Sequence, residues 1–326
     1  MGGPYAPKTA ALGGRPTKDL DVPICAVFLF LFASAGAAHM TIYQRNRKRG
    51  HKFIPSAMTF GFCMSRIAAN AIRIVWAYYP ANISVAIAAQ IFVAAGVLLL
   101  FVLNLAYTQR ILRAAFPAFG WSRPLSYAFK ALYVVVVITI IMMITVVIQS
   151  MYTLNNNTHR IDRDIQLYGL TYFAIVSFLP IPIVLIILIL TRFRSIEHPG
   201  TGSWLTRAFI ILLAGCLLCL GASFRAGTTW MNPRPVTDPA WYQSKACFYV
   251  FNFAIDWTVV MIFLVSRKDK RMWVPNGSSR VRHYRIGNFN ESKKNEAEGD
   301  CTLLLVDPNS WKGGSAGLRS ILIPHQ

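Results

Sequence analysis

Arg66, Asn70 and Arg73 interrupt an otherwise apolar stretch at intervals of four and three residues. On a helix that spacing places all three on one face. Asp256 is the one acidic residue deep within an apolar run, and Asn252 lies one helical turn before it on the same side. Arg225 stands near the end of another such run. Charge in apolar surroundings costs several kcal/mol unless it is paired, hydrogen-bonded or presented to a ligand. The chemistry these residue types offer is therefore ion pairing and anion recognition. Counting inward along the helices puts Arg66 roughly 18 Å and Asp256 roughly 15 Å from one end, so an Arg66–Asp256 pair is expected, as a latch or as mutual neutralisation. Arg73 and Arg225, near the other end, are expected to draw an anionic ligand into a pocket or to reach lipid phosphates. The candidate ligand-binding set is Arg66, Asn70, Arg73, Arg225, Asn252 and Asp256.

Catalytic constellations are missing from the sequence. Of six histidines only His39 falls near the interior of an apolar run, so no histidine–carboxylate zinc site can be assembled. No lysine lies midway along the last run, which excludes a retinal Schiff base, and the Ser and Thr residues have no paired base. The expectation is a non-enzyme without a cofactor. Six cysteines, Cys25, Cys63, Cys216, Cys219, Cys247 and Cys301, avoid the middle of the outer loops, so no disulfide framework is expected. Cys216 and Cys219 read as small packing residues on a helix.

The elements that must position these side chains are membrane helices. The 326 residues are 55% hydrophobic and only 14% charged, with a mean hydropathy of +0.44, and the apolar residues come in long blocks. Seven stretches are long enough to cross a bilayer, at about 22–43, 54–77, 82–106, 127–150, 166–190, 205–226 and 245–266. Uncharged runs such as Val134 to Met143 show no alternation, which argues for helices over barrel strands. The first loop holds Arg45, Arg47, Lys48, Arg49 and Lys52 and no acid; the third adds Arg110, Arg113 and Arg123, the fifth Arg192 and Arg194, and the segment after the last span Arg267, Lys268, Lys270 and Arg271. The even loops balance their charges or lack them. In a membrane protein the net charge of +20 thus speaks for topology and not for nucleic acid. Odd loops and tail lie inside, and residues 1–21 form a short outer amino terminus without a removable signal.

Asn156, Asn157 and Thr158 form a glycosylation sequon in a fourth loop of about fifteen residues, whereas Asn276 and Asn290 head others in the inner tail. Trp76, Tyr78, Tyr79, Trp230, Trp241 and Tyr242 flank the outer ends of spans, and Trp121, Trp204 and Trp273 the inner ends. Pro180 and Pro182 should kink the fifth span, as at cavities and hinges. Residues 267–326 read as a polar, largely disordered cytoplasmic tail, with an apolar patch from Cys301 to Trp311.

The blocks GGRPTKDLDVPICAVFLFLF, QRNRKRGHKF, FGFCMSRIAANAIRIVWA, AAGVLLLFVLNLAYTQRILRAAFP and QLYGLTY resemble filamentous-fungal seven-helix proteins labelled family C-like G-protein-coupled receptors, over about residues 12–272. The resemblance implies an all-α, seven-span receptor-like protein of the plasma membrane or another secretory-pathway membrane, and supplies no ligand or active site. Family C receptors carry a large ligand-binding ectodomain, and here about 21 residues precede the first span. NLAYTQR, from Asn104 to Arg110, lacks the acidic-Arg-aromatic triplet of rhodopsin-like receptors, and NFAID, from Asn252 to Asp256, lacks their Asn-Pro turn. The expected partners are the bilayer, a ligand that the sequence does not identify and a cytoplasmic signalling protein. A lipid or small-molecule transporter and a non-catalytic scaffold are the alternatives.

Overall fold

The computed structural model describes residues 3–5, 9–50, 53–191, 203–272 and 274. Lys52, Arg192, Arg194, Trp273, Cys301, the sequons at Asn276 and Asn290, and the tail from 275 onward, including the patch up to Trp311, lie outside the described residues. The described residues are almost wholly helical, with a single isolated bridge between Thr9 and Pro235 in place of any strand.

In chain order the helices are α1 (Lys18–Lys48), α2 (Ile54–Tyr78), α3 (Ile83–Gly96), α4 (Leu98–Ala115), the short α5 (Pro117–Gly120), α6 (Arg123–Tyr152), α7 (Asn156–Phe178), α8 (Pro180–Leu190), α9 (Trp204–Trp230), α10 (Lys245–Tyr249), α11 (Ile255–Val265) and α12 (Lys268–Arg271). A π-helical turn, Val250–Ala254, joins α10 to α11. Among the described residues six stretches are long and apolar enough to cross a membrane: Lys18–Lys48, Ile83–Ala115, Arg123–Tyr152, Asn156–Leu190, Trp204–Trp230 and Lys245–Val265. The protein is therefore an all-α integral membrane protein. At 25 residues α2 is long enough, but Arg66 and Arg73 keep it outside that apolar set.

Local chemistry explains where the helices begin and end. α1 carries Asp19 and Asp21 in its first turn and Arg45, Arg47 and Lys48 in its last, charges that complement the helix dipole at both ends. Its 31 residues span roughly 46 Å, more than a bilayer core of about 30 Å, long enough to cross the apolar layer with residues to spare at its ends. α2 and α6 each open with proline in the first turn, where no helical amide is lost.

Two expectations about boundaries need correction. The fourth loop of about fifteen residues is Thr153–Asn155 alone, because Asn155 caps α7 by accepting the Asn157 amide at 2.9 Å, and the polar turns of residues 156–165 are already helix. Hydropathy reports where a helix is apolar, not where it starts. Likewise α1 begins at Lys18, which takes Asp21 into the bundle with no exposed surface. At Pro180 the ladder is interrupted: α7 ends at Phe178 and α8 begins at Pro180, while Leu179 keeps right-handed helical angles and its amide still reaches Ile175 O at 3.0 Å. The two pieces form one continuous rod.

Successive rods run antiparallel. The start of α1, the end of α2, the end of α6, the start of α7, the end of α9 and the start of α10 meet at one end, through contacts such as Arg73–Asp21, Tyr5 N to Met151 O and Arg163 Nη2 to Met231 O. α1 and α2 make the most extensive helix pair, and Gly36 of α1 lets Cys63 come so close that a Cβ there would lie 3.2 Å from the Cys63 Cβ. The outward faces carry large exposed apolar side chains, among them Phe30, Ile141, Ile189 and Val265, a surface suited to lipid and not to water. Cys216 belongs to that exposed surface, which corrects its reading as a packing residue, whereas Cys219 is half-buried.

Candidate functional site: a cavity between two buried charge clusters

The structure brings Arg66 and Asp256 together. Arg66 Nη2 donates to Asp256 Oδ2 at 2.5 Å, and both side chains are essentially inaccessible. Arg66 Nη1 also donates to Val93 O at 2.9 Å, and the guanidinium lies 5.3 and 5.4 Å from the rings of Phe62 and Phe253. The helical ladder breaks at Val97, between α3 and α4, four residues beyond that carbonyl. Gly96 beside the break makes room, since a Cβ there would sit 3.4 Å from Arg66 Cζ and collide with Ser65 Oγ.

Arg73 does not reach lipid phosphates. Its Nε and Nη2 both donate to Asp21 Oδ1, at 3.1 and 2.8 Å, Nε also reaches the Tyr249 hydroxyl at 3.1 Å, and Nη2 reaches Gly13 O at 3.0 Å. The Tyr249 hydroxyl donates to Asp21 Oδ1 at 2.7 Å, and Lys245 Nζ donates to Asp21 Oδ2 at 2.5 Å. Snorkelling fails as an account because a carboxylate at the start of α1 neutralises the arginine inside the bundle.

Asn70 spends its amide within α2, Nδ2 donating to Arg66 O at 2.8 Å, and does not line the cavity described below. Asn252 sits in the π-helical turn, accepts from Arg225 Nη1 at 3.2 Å through Oδ1, and donates through Nδ2 to Phe248 O at 2.9 Å. Such turns, with one residue more than an α-turn, recur where a helix must re-aim a side chain at a site. Here the turn separates Asn252, facing Arg225, from Asp256, facing Arg66.

Between these clusters lies a cavity of about 260 Å³. Trp76, Phe101, Met143 and Phe173 give it apolar walls, and Arg73, Arg225, Asn252, Gln90 and Gln166 give it polar points. Ala11, Leu12 and Gly14 of the amino-terminal segment form part of the wall. That segment is strapped down: Ala10 N donates to Arg234 O, Gln243 Nε2 to Ala10 O and Gly13 N to Gln243 O, each at 2.9 Å. Gly13 has a φ of +78°, and a Cβ on it would come within 2.5 Å of the Phe248 ring, so glycine alone fits.

Five of these residues were not singled out from the sequence. Asp21 and Lys245 flank apolar runs and read as ordinary helix-end charges. Indeed Asp21 Oδ2 accepts the Thr17 amide at 2.8 Å, as a first-turn acid should. Tyr249 reads as an aromatic in a span, and Gln90 and Gln166 are uncharged. The available signal was that a second buried arginine, Arg73, needed an acid, and the nearest unclaimed one sat at a helix start. Asn156, the sequon residue, is exposed as the first residue of α7. Asn82, capping α3, heads a second exposed sequon, Asn82-Ile83-Ser84.

A smaller buried group lies at the opposite end. Lys268 is 2% exposed, its Nζ has no hydrogen-bond partner, and it stands 3.3 Å from the Phe263 ring centroid and 4.1 Å from that of Tyr107. Burial holds its amine well below the usual lysine range. Among the described residues no group of three or more His, Cys, Asp or Glu side chains is arranged to hold a metal ion.

No curated protein and no solved structure matches the chain. Residues 203–273 match a family described as Protein of unknown function (DUF3112), a segment that contributes Arg225, Lys245, Tyr249, Asn252 and Asp256 to the two clusters.

Proposed function

We propose that the protein is a receptor-like membrane protein that crosses the bilayer seven times and couples occupancy of the arginine-lined cavity to a cytoplasmic signalling partner. In this reading α2 is the seventh crossing. Its 25 residues span roughly 37 Å, and its two arginines are matched by Asp256 and Asp21 within the bundle. The amino terminus lies outside and the carboxyl terminus in the cytosol, an orientation supported by the exposed Arg45, Arg47, Lys48 and Arg49 at the end of α1. The resemblance to the fungal family C-like receptors supports the same reading, in which the home of the protein is the plasma membrane or another secretory-pathway membrane.

The observation that carries the proposal is the cavity. A dry, fully packed interior would suit a scaffold, whereas a cavity of about 260 Å³ with apolar walls and a few convergent polar groups is the usual form of a small-molecule site. The basic inner ends suit an acidic partner surface. Co-purification of the full-length protein from its own membrane tests the reading: recovery of a G-protein subunit, increased by a cavity ligand, is the expected result, and reproducible absence of any such subunit rejects it.

One observation favours a transporter as a second reading. Val97, at the break between α3 and α4, and Asn252, in the π-helical turn, both line the cavity, and interrupted helices at a midplane site are common in transporters. Flux of an anionic amphiphile across vesicles reconstituted with the protein alone would support this reading over the first.

A further inference from the structure

The charges around the cavity do not cancel. Four cations, Arg66, Arg73, Arg225 and Lys245, face two carboxylates, Asp21 and Asp256. Each carboxylate is committed: Asp21 to Arg73 and Lys245, Asp256 to Arg66. Asp256 lies close enough to act electrostatically on Arg225 as well, yet among the described residues no carboxylate comes within 4 Å of Arg225 to form an ion pair. Among the described residues the one hydrogen-bond acceptor it meets is the neutral Asn252 Oδ1. Arginine cannot shed its proton, so the excess positive charge persists inside the bundle. The cavity wall holds Arg73 and Arg225 and no Asp or Glu. Apart from these arginines and the neutral polar Gln90, Gln166, Thr228, Thr229 and Asn252, the wall is apolar, formed by side chains such as Ile140, Ile144, Val147, Leu98 and Leu170.

We propose that the cavity binds a single-chain anionic amphiphile, its carboxylate on Arg225 and its hydrocarbon chain along the apolar wall. The inference deepens the ligand-binding reading above and rests on it. Charge complementarity selects the head: a carboxylate can take two parallel N–H donors from a guanidinium that, among the described residues, donates to an amide oxygen alone. Volume selects the tail. About 260 Å³ lies at the lower end of small-molecule sites, which run to about 300–1,000 Å³, a size that suits one short hydrocarbon chain such as that of octanoate and not a two-chain phospholipid. Gln90 and Gln166 can solvate the head without adding charge.

Trp76 lines the cavity, so contact quenching of its emission by bromine-labelled ligands gives the test. Full-length protein in nanodiscs of zwitterionic lipid is titrated with bromo-octanoate, bromo-octanol and bromo-octylamine, and Trp76→Phe supplies the background. Saturable Trp76 quenching is expected to be tightest for the carboxylate, with the alcohol roughly ten- to hundredfold weaker and the amine weaker still. Arg225→Gln should remove that preference while leaving alcohol binding in place, which also shows that the variant is folded. If Arg225→Gln binds neither compound, Arg225→Lys decides: restored carboxylate preference supports the assignment, and no preference overturns it. Equal affinity for carboxylate and alcohol, or carboxylate affinity unchanged in Arg225→Gln, also overturns it. Replacing part of the nanodisc lipid with phosphatidylglycerol distinguishes the sources of the anion. Unchanged octanoate affinity supports a free single-chain ligand, while competition reassigns the site to a lipid headgroup and overturns the proposal. Partner recovery reads a different step: a protein that binds octanoate and recruits no G-protein subunit fails as a receptor only, and one that recruits the subunit and ignores octanoate fails only here.

Discussion

Replacing Asp256 with asparagine isolates the charge in the Arg66–Asp256 contact. The amide oxygen can still accept from Arg66 Nη2, so shape and one hydrogen bond survive while the negative charge disappears. Arg66 is then a cation with no exposed surface and no counter-ion, and Arg225 loses the same carboxylate's field. Leaving one charge of a buried pair uncompensated costs about 3–5 kcal/mol, which lowers the folded-to-unfolded ratio on the order of a hundred- to several-thousandfold. Arg66→Gln leaves Asp256 uncompensated from the other side and also gives up the bond to Val93 O, so it should cost at least as much. The double variant has neither charge. It should recover most of the pairing loss and be more stable than either single variant, with a coupling energy of at least about 2 kcal/mol. Thermal unfolding followed by loss of monodisperse protein in detergent, together with surface abundance in cells, measures all four corners of the cycle. Additive losses, with coupling below about 0.5 kcal/mol, would refute the claim that mutual neutralisation is what keeps these charges in the bundle.

Three other outcomes follow from the geometry. Gly13→Ala must place a Cβ at a φ of +78° against the Phe248 ring, a strain of about 1–3 kcal/mol that should release the amino-terminal strap and speed hydrogen exchange at the backbone amides of residues 10 and 13; unchanged exchange would argue against it. Asn156→Gln should abolish a glycosidase-sensitive mobility shift if residue 156 lies on the luminal side, while loss of the shift in Asn82→Gln alone would move the glycan to the other exposed sequon. Lys268 has a folded-state amine held below its unfolded value, so between those two values the unfolded chain binds more protons and stability rises with pH. Lys268→Met should therefore raise the unfolding temperature most at neutral pH, with the gain shrinking toward pH about 10; a gain independent of pH would show that the amine titrates alike in the folded and unfolded chain and is solvated in both.

The sequence by itself determined the helices and their polar interruptions. Blocks such as Val134–Met143 can satisfy their backbone groups in lipid only as helix, and Arg66 and Arg73 on one face had to turn inward because lipid would not solvate them. Helix depth alone matched Arg66 to Asp256, two residues separated by 190 positions in the chain but level across the bundle. What the tertiary structure alone decided is which neutral or flanking residues complete the site. Asp21 became the counter-ion of Arg73 because α1 and α2 are antiparallel and meet at one end. Gln90 and Gln166 became cavity residues because α3 and α7 turn those positions toward the same space, and Arg225 was left with an amide in place of a carboxylate because the π-helical turn re-aims Asn252. A charge in an apolar run announces itself through the cost of its burial, whereas its partner and the empty volume beside it exist only when distant helices have packed.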